Sequence, residues 1–390
     1  MHTSTPRQLG LILAVTTVLV IWCSAAVRAA DDATLWEAAV AKVDAGDLAG
    51  ASSLFAQLIN DYPNSSNAPA AQLKLAYIKI RTSADATQEI MDAFSLVRTK
   101  YPSSTEAGEA LVRIGYLNSK SDAAKAISDF SAFLTSYPSH DLAAEVQQSL
   151  GRLYVRTLEL DKAEAAFDQV AAISGAPADV VEEAALQSGF VEIMKFYASR
   201  DKLHLARAID AFSVLSSSSR VNVAAKADLG VAEATLLMGN PIEAREKYKA
   251  ISRKYSGDLY FRGFALYGVA LCSQHARDAE RAAGDYSTFL STLTGSTLKE
   301  KDDAWKAIAL GSVNARAQAS VQKDGSWERI PASSIVPKAA YFKGECLYTL
   351  ARYKEAKQQF EDVLSAFPSG EVAGQAQAAL LRCQMAKGEK

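Results

Sequence analysis

Cysteine and histidine are the side chains of this 390-residue chain with the most chemistry to offer, and there are four of each. Cys23 lies in an apolar N-terminal run, which leaves Cys272, Cys346 and Cys383. Cys346 and Cys383 are 37 residues apart, and Cys272 precedes Cys346 by 74, twice that spacing. Equal spacing marks equivalent places in repeated units rather than a ligand set. A disulfide needs Cα atoms within about 7 Å, closer than equivalent residues of successive helical units usually lie. The three are therefore expected to pack in the core as small apolar residues. His140, His204 and His275 stand apart, with no metal-ligand spacing between any pair. The chain holds no Gly-x-Ser-x-Gly elbow, no His-Glu-x-x-His and no phosphate loop ending in Gly-Lys-Ser/Thr. Its carboxylates read as the solvated face of helices. The expectation is no catalytic residue, no metal and no cofactor.

The N-terminus has the three parts of a secretory signal peptide: Arg7, an apolar run from Leu9 to Ile21, and small residues Ser24-Ala25-Ala26 and Ala29-Ala30. Cleavage after Ala29 or Ala30 is favoured, giving a signal segment of 1–30. The alternative is an uncleaved anchor, because Gly10 to Val27 carries no charge. Trp22 stands before Cys23, where the resemblance to bacterial lipoprotein signals requires a small residue. Cleavage removes Arg7 and Arg28 from the 42 basic residues, leaving 40 against 44 acidic ones, a net of −4. That balance argues against nucleic acid as a partner. The sequence offers no second run suited to a bilayer, so membrane contact is expected only through the N-terminal segment.

The elements that must position any site are read from a repeat. Phe55, Phe94, Phe130, Phe167, Phe212, Tyr248, Tyr286 and Phe360 are spaced by 39, 36, 37, 45, 36, 38 and 74 residues. Four residues before each stands alanine, or Ile90 in the second unit, so both side chains share a helix face. Three residues after each stands a large apolar residue. Eight after comes Pro63, Pro102, Pro138 or Pro368 in four units, each preceded by tyrosine or phenylalanine. Proline cannot continue a helix and disfavours helix in the residue before it. Sixteen and fourteen before the aromatic are further columns of small or apolar residues, which predict a first helix. Each unit is thus helix A, a short turn, helix B and a Tyr-Pro turn. A period in this range means stacked helical hairpins.

These offsets resemble the tetratricopeptide repeat, with the best copy at Gly344 to Ser369. The resemblance implies an all-α fold, an α-solenoid of stacked antiparallel helix pairs, about eight units, forming a superhelix over residues 31–386 with a tail at 387–390. The Phe-x-x-Leu/Val-x-x-x-Tyr-Pro-x-Ser ending is similar to bacterial cell-envelope members of the family, of the outer-membrane assembly lipoprotein and Tol-Pal-associated types. A long helix A is expected over Lys299 to Gln322, with Trp305 in it, then an irregular loop over 323–337 carrying Trp327 in place of a missing helix. A smaller insertion around Tyr197 to His204 accounts for the spacing of 45.

In this family helix A lines the concave face, which implies that partner-binding residues lie 19, 15 and 12 before each aromatic. Those columns hold Arg152, Tyr197, Arg200, Tyr267, Tyr341, Glu345 and Tyr348, and in the unit between them Glu233. Tyrosine and arginine are enriched among residues that carry interface energy. Trp327 is a further candidate contact, or else an anchor that holds its loop. The expected function is an exported bacterial scaffold that binds protein or peptide partners on the concave face in cell-envelope assembly. The alternative is a cell-wall or polysaccharide-binding envelope component.

Overall fold

The structure, a computed structural model, describes residues 31–83, 86–319 and 335–388. The expected signal segment and Trp327 lie outside them. Among the described residues there are helices and turns and no strand. The chain divides into two compact units, residues 1–158 with 169–176, and residues 159–168 with 177–390. The first holds α1 (31–44), α2 (Leu48–Asp61), α3 (Ala68–Thr82), α4 (Thr87–Lys100), α5 (Thr105–Ser119), α6 (Ala123–Ser136) and α7 (Ala143–Arg156). Helix α8 (Leu160–Val170) contributes residues to both. The second holds α9 (Ala178–Ser199), α10 (Leu203–Leu215), α11 (Val221–Leu237), α12 (Pro241–Lys254), α13 (Leu259–His275), α14 (Ala279–Ser291), α15 (Leu298–Ala319), α16 (Ile335–Thr349), α17 (Tyr353–Ala366) and α18 (Glu371–Gly388). Within each unit consecutive helices pack as hairpins, so the fold is an all-α solenoid of tetratricopeptide-like pairs. Odd-numbered helices up to α13 are the A helices and even-numbered ones up to α14 the B helices.

The repeated aromatic is buried at all eight positions, and so is the residue four before it. Phe130 on α6 is 1% exposed, and a Cβ added at Gly115 of α5 would come within 2.4 Å of its ring. The small residue on helix A is what lets the ring seat between the two backbones. The Tyr-Pro turns follow the proline rule. Helices α2, α4, α6 and α17 each end one residue before Tyr62, Tyr101, Tyr137 or Phe367, all with φ between −130° and −134° and ψ of 55–73°. His140, two residues beyond Pro138, is half-buried. The Leu142 N–H donates to its Nδ1 (3.0 Å), so Nε2 carries the proton and donates to the Thr105 carbonyl (3.2 Å). Tyr137 Oη donates to the Pro102 carbonyl (2.9 Å), and together the two side chains tie one turn to the preceding one.

The turn from helix A to helix B has its own device. Nine residues before the aromatic stand Gly46, Leu158, Gly239, Arg277 and Ala351, all with left-handed φ of 57–96°. The next residue's N–H reaches back five residues, as Asp278 does to the Ser273 carbonyl (3.1 Å). That closes the helix in a Schellman turn. Asp47 and Asp278 then cap the following helix through the Gly50 and Arg281 N–H groups.

Three expected boundaries shift. The 45-residue spacing, expected as a small insertion around Tyr197 to His204, is absorbed largely by α9, which runs 22 residues and is ended by Arg200 at φ 64°. The expected loop over 323–337 lies mostly outside the described residues, and its last three residues begin α16. Pro337 fits there because first-turn N–H groups have no helical partner to lose. Helix α18 runs to Gly388, which shortens the expected tail. The helix over 298–319 does not stand in the array order: α16 packs directly on α14, with the rings of Tyr286 and Phe342 6.1 Å apart. Fully buried Trp305 of α15 stacks on Tyr260 (5.9 Å) and meets Phe264 and Phe289 edge-on. It fills the place over Gly263 that Tyr137 and His140 fill over Gly108 in the first unit.

Replacing Phe130 with alanine should cost about 3–5 kcal/mol in denaturant unfolding, from lost burial and an unfilled cavity. Lys354→Ala, on the exposed side of α17, should change stability by less than about 0.5 kcal/mol. Arg277→Gly should stabilise by about 0.5–1 kcal/mol, because glycine removes the left-handed penalty while adding some unfolded-state entropy.

Candidate functional site

Tyr341, Glu345 and Tyr348 come together on α16. One period after Glu345, Arg382 of α18 pairs with it (Nη2 to carboxylate 2.6 Å) and lies 5.2 Å over the Tyr348 ring. Burial works against the Arg382 charge, and the Glu345 carboxylate outweighs it and holds the guanidinium protonated. Burial, and then the Glu345 charge, push the Tyr341 phenol up. Arg382 was not anticipated, although its spacing of 37 from Glu345 places it in the same repeat column.

The column 19 before the aromatic turns out to be half structural. Trp36, Tyr267 and Tyr341 lie 5.5, 6.1 and 5.8 Å from the repeated rings of Phe55, Tyr286 and Phe360. Tyr267 is wedged against Tyr286 and Phe289, and burial pushes its phenol up to about 12. In the lengthened α9 the columns move. Phe190 packs on the repeated ring of Phe212 at 5.0 Å, and the left-handed residue Arg200 stands 12 rather than nine before that ring, so the register slips by three residues. Tyr197 then takes the place expected of Arg200, three residues before the left-handed turn, and Arg200 stands in that turn. Tyr197 is 49% exposed, with the Arg200 guanidinium 5.9 Å from its ring and from that of Phe196. Arg152 is half-buried on α7 of the first unit, where its charge bears on Tyr116.

Glu233 of α11 is partly buried, and its side chain has no ion pair or hydrogen bond among the described residues. Burial raises its pKa, and its charge bears on the Tyr197 and Tyr248 phenols. Other buried or half-buried carboxylates in this stretch are partnered: Glu183 with Lys226 (3.8 Å), Asp228 with Lys254 (2.8 Å) and Glu192 with His204 (2.9 Å). Lys195 joins α8 to α9 through Asp161 (2.6 Å) and Glu164. Arg245 grips Asp285 (2.8 Å) and Ser273 (2.8 Å).

The three cysteines are free and buried, and burial pushes the thiols of Cys272 and Cys346 up to about 12 and about 11. Such thiols are poor nucleophiles, because the thiolate is the reactive form. No group of three or more histidine, cysteine or acidic side chains placed to hold a metal occurs among the described residues. No described helix is long and apolar enough to cross a membrane.

The family model for the tetratricopeptide repeat matches residues 33–65 and 109–140, which are the hairpins α1–α2 and α5–α6 with their Tyr-Pro turns. Those two matches support the tetratricopeptide repeat family. Similar solved structures include a tetratricopeptide repeat protein from Parabacteroides merdae, at 18% identity and TM-score 0.39, covering 71% of this chain and 98% of that one. Another is the C-terminal part of a TPR repeat-containing protein from Cytophaga hutchinsonii, at 11% identity and TM-score 0.49, covering 78% and 98%. A third is PilW, a type IV pilus biogenesis factor, at 14% identity and TM-score 0.44, covering 70% and 98%. A comparison with curated proteins finds no match.

Glu233 generates a pH dependence. Its folded-state pKa lies above the reference value of 4.5, so the folded protein holds this proton more tightly than the unfolded chain. The stabilising contribution is fully present below 4.5 and is lost as pH rises through the folded-state value. Tyr197 of α9 and Tyr248 of α12, on which its charge bears, are pushed up from 10 and do not titrate in that range. Glu233→Gln should therefore be more stable than wild type at pH 8, and the difference should shrink towards pH 4.5. Urea unfolding of both proteins across that range is the measurement.

Proposed function

We propose that this protein is an exported scaffold of the bacterial cell envelope that binds protein or peptide partners on the solvent-facing side of its A helices. The observation that carries the reading is the grouping of Tyr341, Glu345 and Tyr348 with Arg382, a set of aromatic and charged groups half-open to solvent. The repeated aromatics, alanines and cysteines are committed to the core, so recognition falls to the columns that vary between repeats. Export is supported by the Arg7, Leu9–Ile21 and Ala29-Ala30 pattern. Partly exposed tyrosine and arginine suit a protein interface: tyrosine offers large contact area with few rotamers to freeze, and the arginine fork offers directed hydrogen bonds to carboxylates and carbonyls. The chemistry offered is binding, and the role is that of a scaffold rather than an enzyme.

The exposed Tyr197 ring also suits stacking on a sugar, which makes a cell-wall polymer the second reading. A photoreactive residue in place of Tyr348 or Tyr197, in growing cells, should give discrete adducts with envelope proteins. The same residue in place of Lys354 should give none. Equal labelling from all three positions, or none, would overturn the protein-binding reading. Sedimentation with isolated cell wall that Tyr197→Ala abolishes would favour the second.

A further inference from the structure

We infer that the A-helix face around Glu233 takes up a basic side chain, lysine or arginine, from a partner peptide. The inference rests on the A helices being the partner-binding side and names the chemistry of what binds there. Glu233 lies on α11 in the column 15 before Tyr248, the same column that places Glu345 beside Arg382 in the last hairpin. In that hairpin the column carboxylate meets a cation from the next A helix. Around Glu233 none arrives, because the next helix has Leu271 at that register.

Cations carried by the neighbouring helices pair with other groups. Lys226 is given to Glu183, Lys254 to Asp228 and Arg245 to Asp285. Arg200 lies on the Tyr197 and Phe196 rings. The Glu233 charge bears on the phenols of the buried Tyr248 of α12 and the half-exposed Tyr197 of α9. A partly buried carboxylate without a partner is less favourable in its charged form than one in bulk water. Burial does raise the pKa of Glu233, as that account requires. A docked ammonium or guanidinium would supply the missing charge-assisted hydrogen bonds, strengthened by the low local dielectric. The tyrosine ring beside it gives a cation a second favourable contact through its π-face. An acidic partner group would meet an unpaired carboxylate and be repelled, so the charge of the site selects as well as attracts.

The test uses phage-displayed random heptapeptides, selected at pH 7.5 on the immobilised full-length protein. Their affinities are then measured for wild type, Glu233→Gln, Glu233→Lys, Tyr197→Ala and Tyr348→Ala. Circular dichroism melts verify that each variant folds. The inference predicts selected sequences enriched in lysine or arginine, at least tenfold weaker on Glu233→Gln. A separate selection on Glu233→Lys should enrich acidic sequences instead. Should Glu233→Lys fail to fold, Glu233→Gln and Tyr197→Ala carry the test. Peptides lacking basic residues, or binding Glu233→Gln as tightly as wild type, would overturn the inference. If such peptides still lost binding on Tyr348→Ala or Tyr197→Ala, the A-helix face would stand as the partner surface with a different selectivity. Selection of no peptide sensitive to any of these substitutions would overturn both.

Discussion

Everything in this array depends on one contact, an aromatic ring of helix B pressed against a small residue of helix A. Phe130 over Gly115 and Phe360 over Gly344 leave no room for a Cβ, since one would come within 2.4 and 2.5 Å of the ring. The alanine four residues before the ring is fully buried in the same slot, as Ala126 and Ala356 show. Dense packing of this kind is intolerant of added or removed volume in either partner. It also explains why the same columns recur through the chain while their neighbours drift. The ring must be seated identically each time, whereas the faces turned to solvent answer to no such constraint.

Two kinds of turn keep the hairpins in step. The Tyr-Pro turn stops helix B by removing a backbone donor, and its aromatic closes over the preceding A helix. The left-handed residue after helix A reverses the chain in so few residues that it also positions the cap of helix B. Where the regular turn is lost, other elements fill the space. Trp305 takes over from the turn aromatics above Gly263, and α9 grows longer while the repeated ring of Phe212 keeps its seat through Phe190. Insertions are accommodated because each hairpin packs chiefly on its neighbours.

The polar groups follow the same economy of contact. Tyr77 bonds Glu109 and Arg113 (2.5 Å to Nε), and Tyr116 bonds Ser149 (2.9 Å), each linking one A helix to the next. Buried charges such as Glu192, 3% exposed, sit in networks with Lys195 and His204. Against that background an unpartnered Glu233 stands out, and so does the open ring of Tyr197 beside it. The residues that recur pack, and the residues that vary either brace successive helices or remain available to a partner.

What the sequence determined by itself is whatever acts within one hairpin. The ring and its alanine are four residues apart, and the Tyr-Pro stop lies seven and eight beyond the ring. Helix geometry and proline stereochemistry therefore made the helices, their ends and the buried cysteines legible before any contact was seen. The left-handed turn was less legible, because leucine, arginine and alanine occupy it alongside glycine. The tertiary structure alone decided the register of α9, the position of α15 beside the array, and which charges are paired. Those outcomes turn on side chains 12 to 40 residues apart, as Glu192 with His204, Glu345 with Arg382 and Arg245 with Asp285 show. A local pattern cannot say which cation reaches which carboxylate across two helices. For that reason Tyr197 and Arg200 were placed three residues out of register, and Glu233 gained its meaning only when its neighbours were seen to be engaged elsewhere.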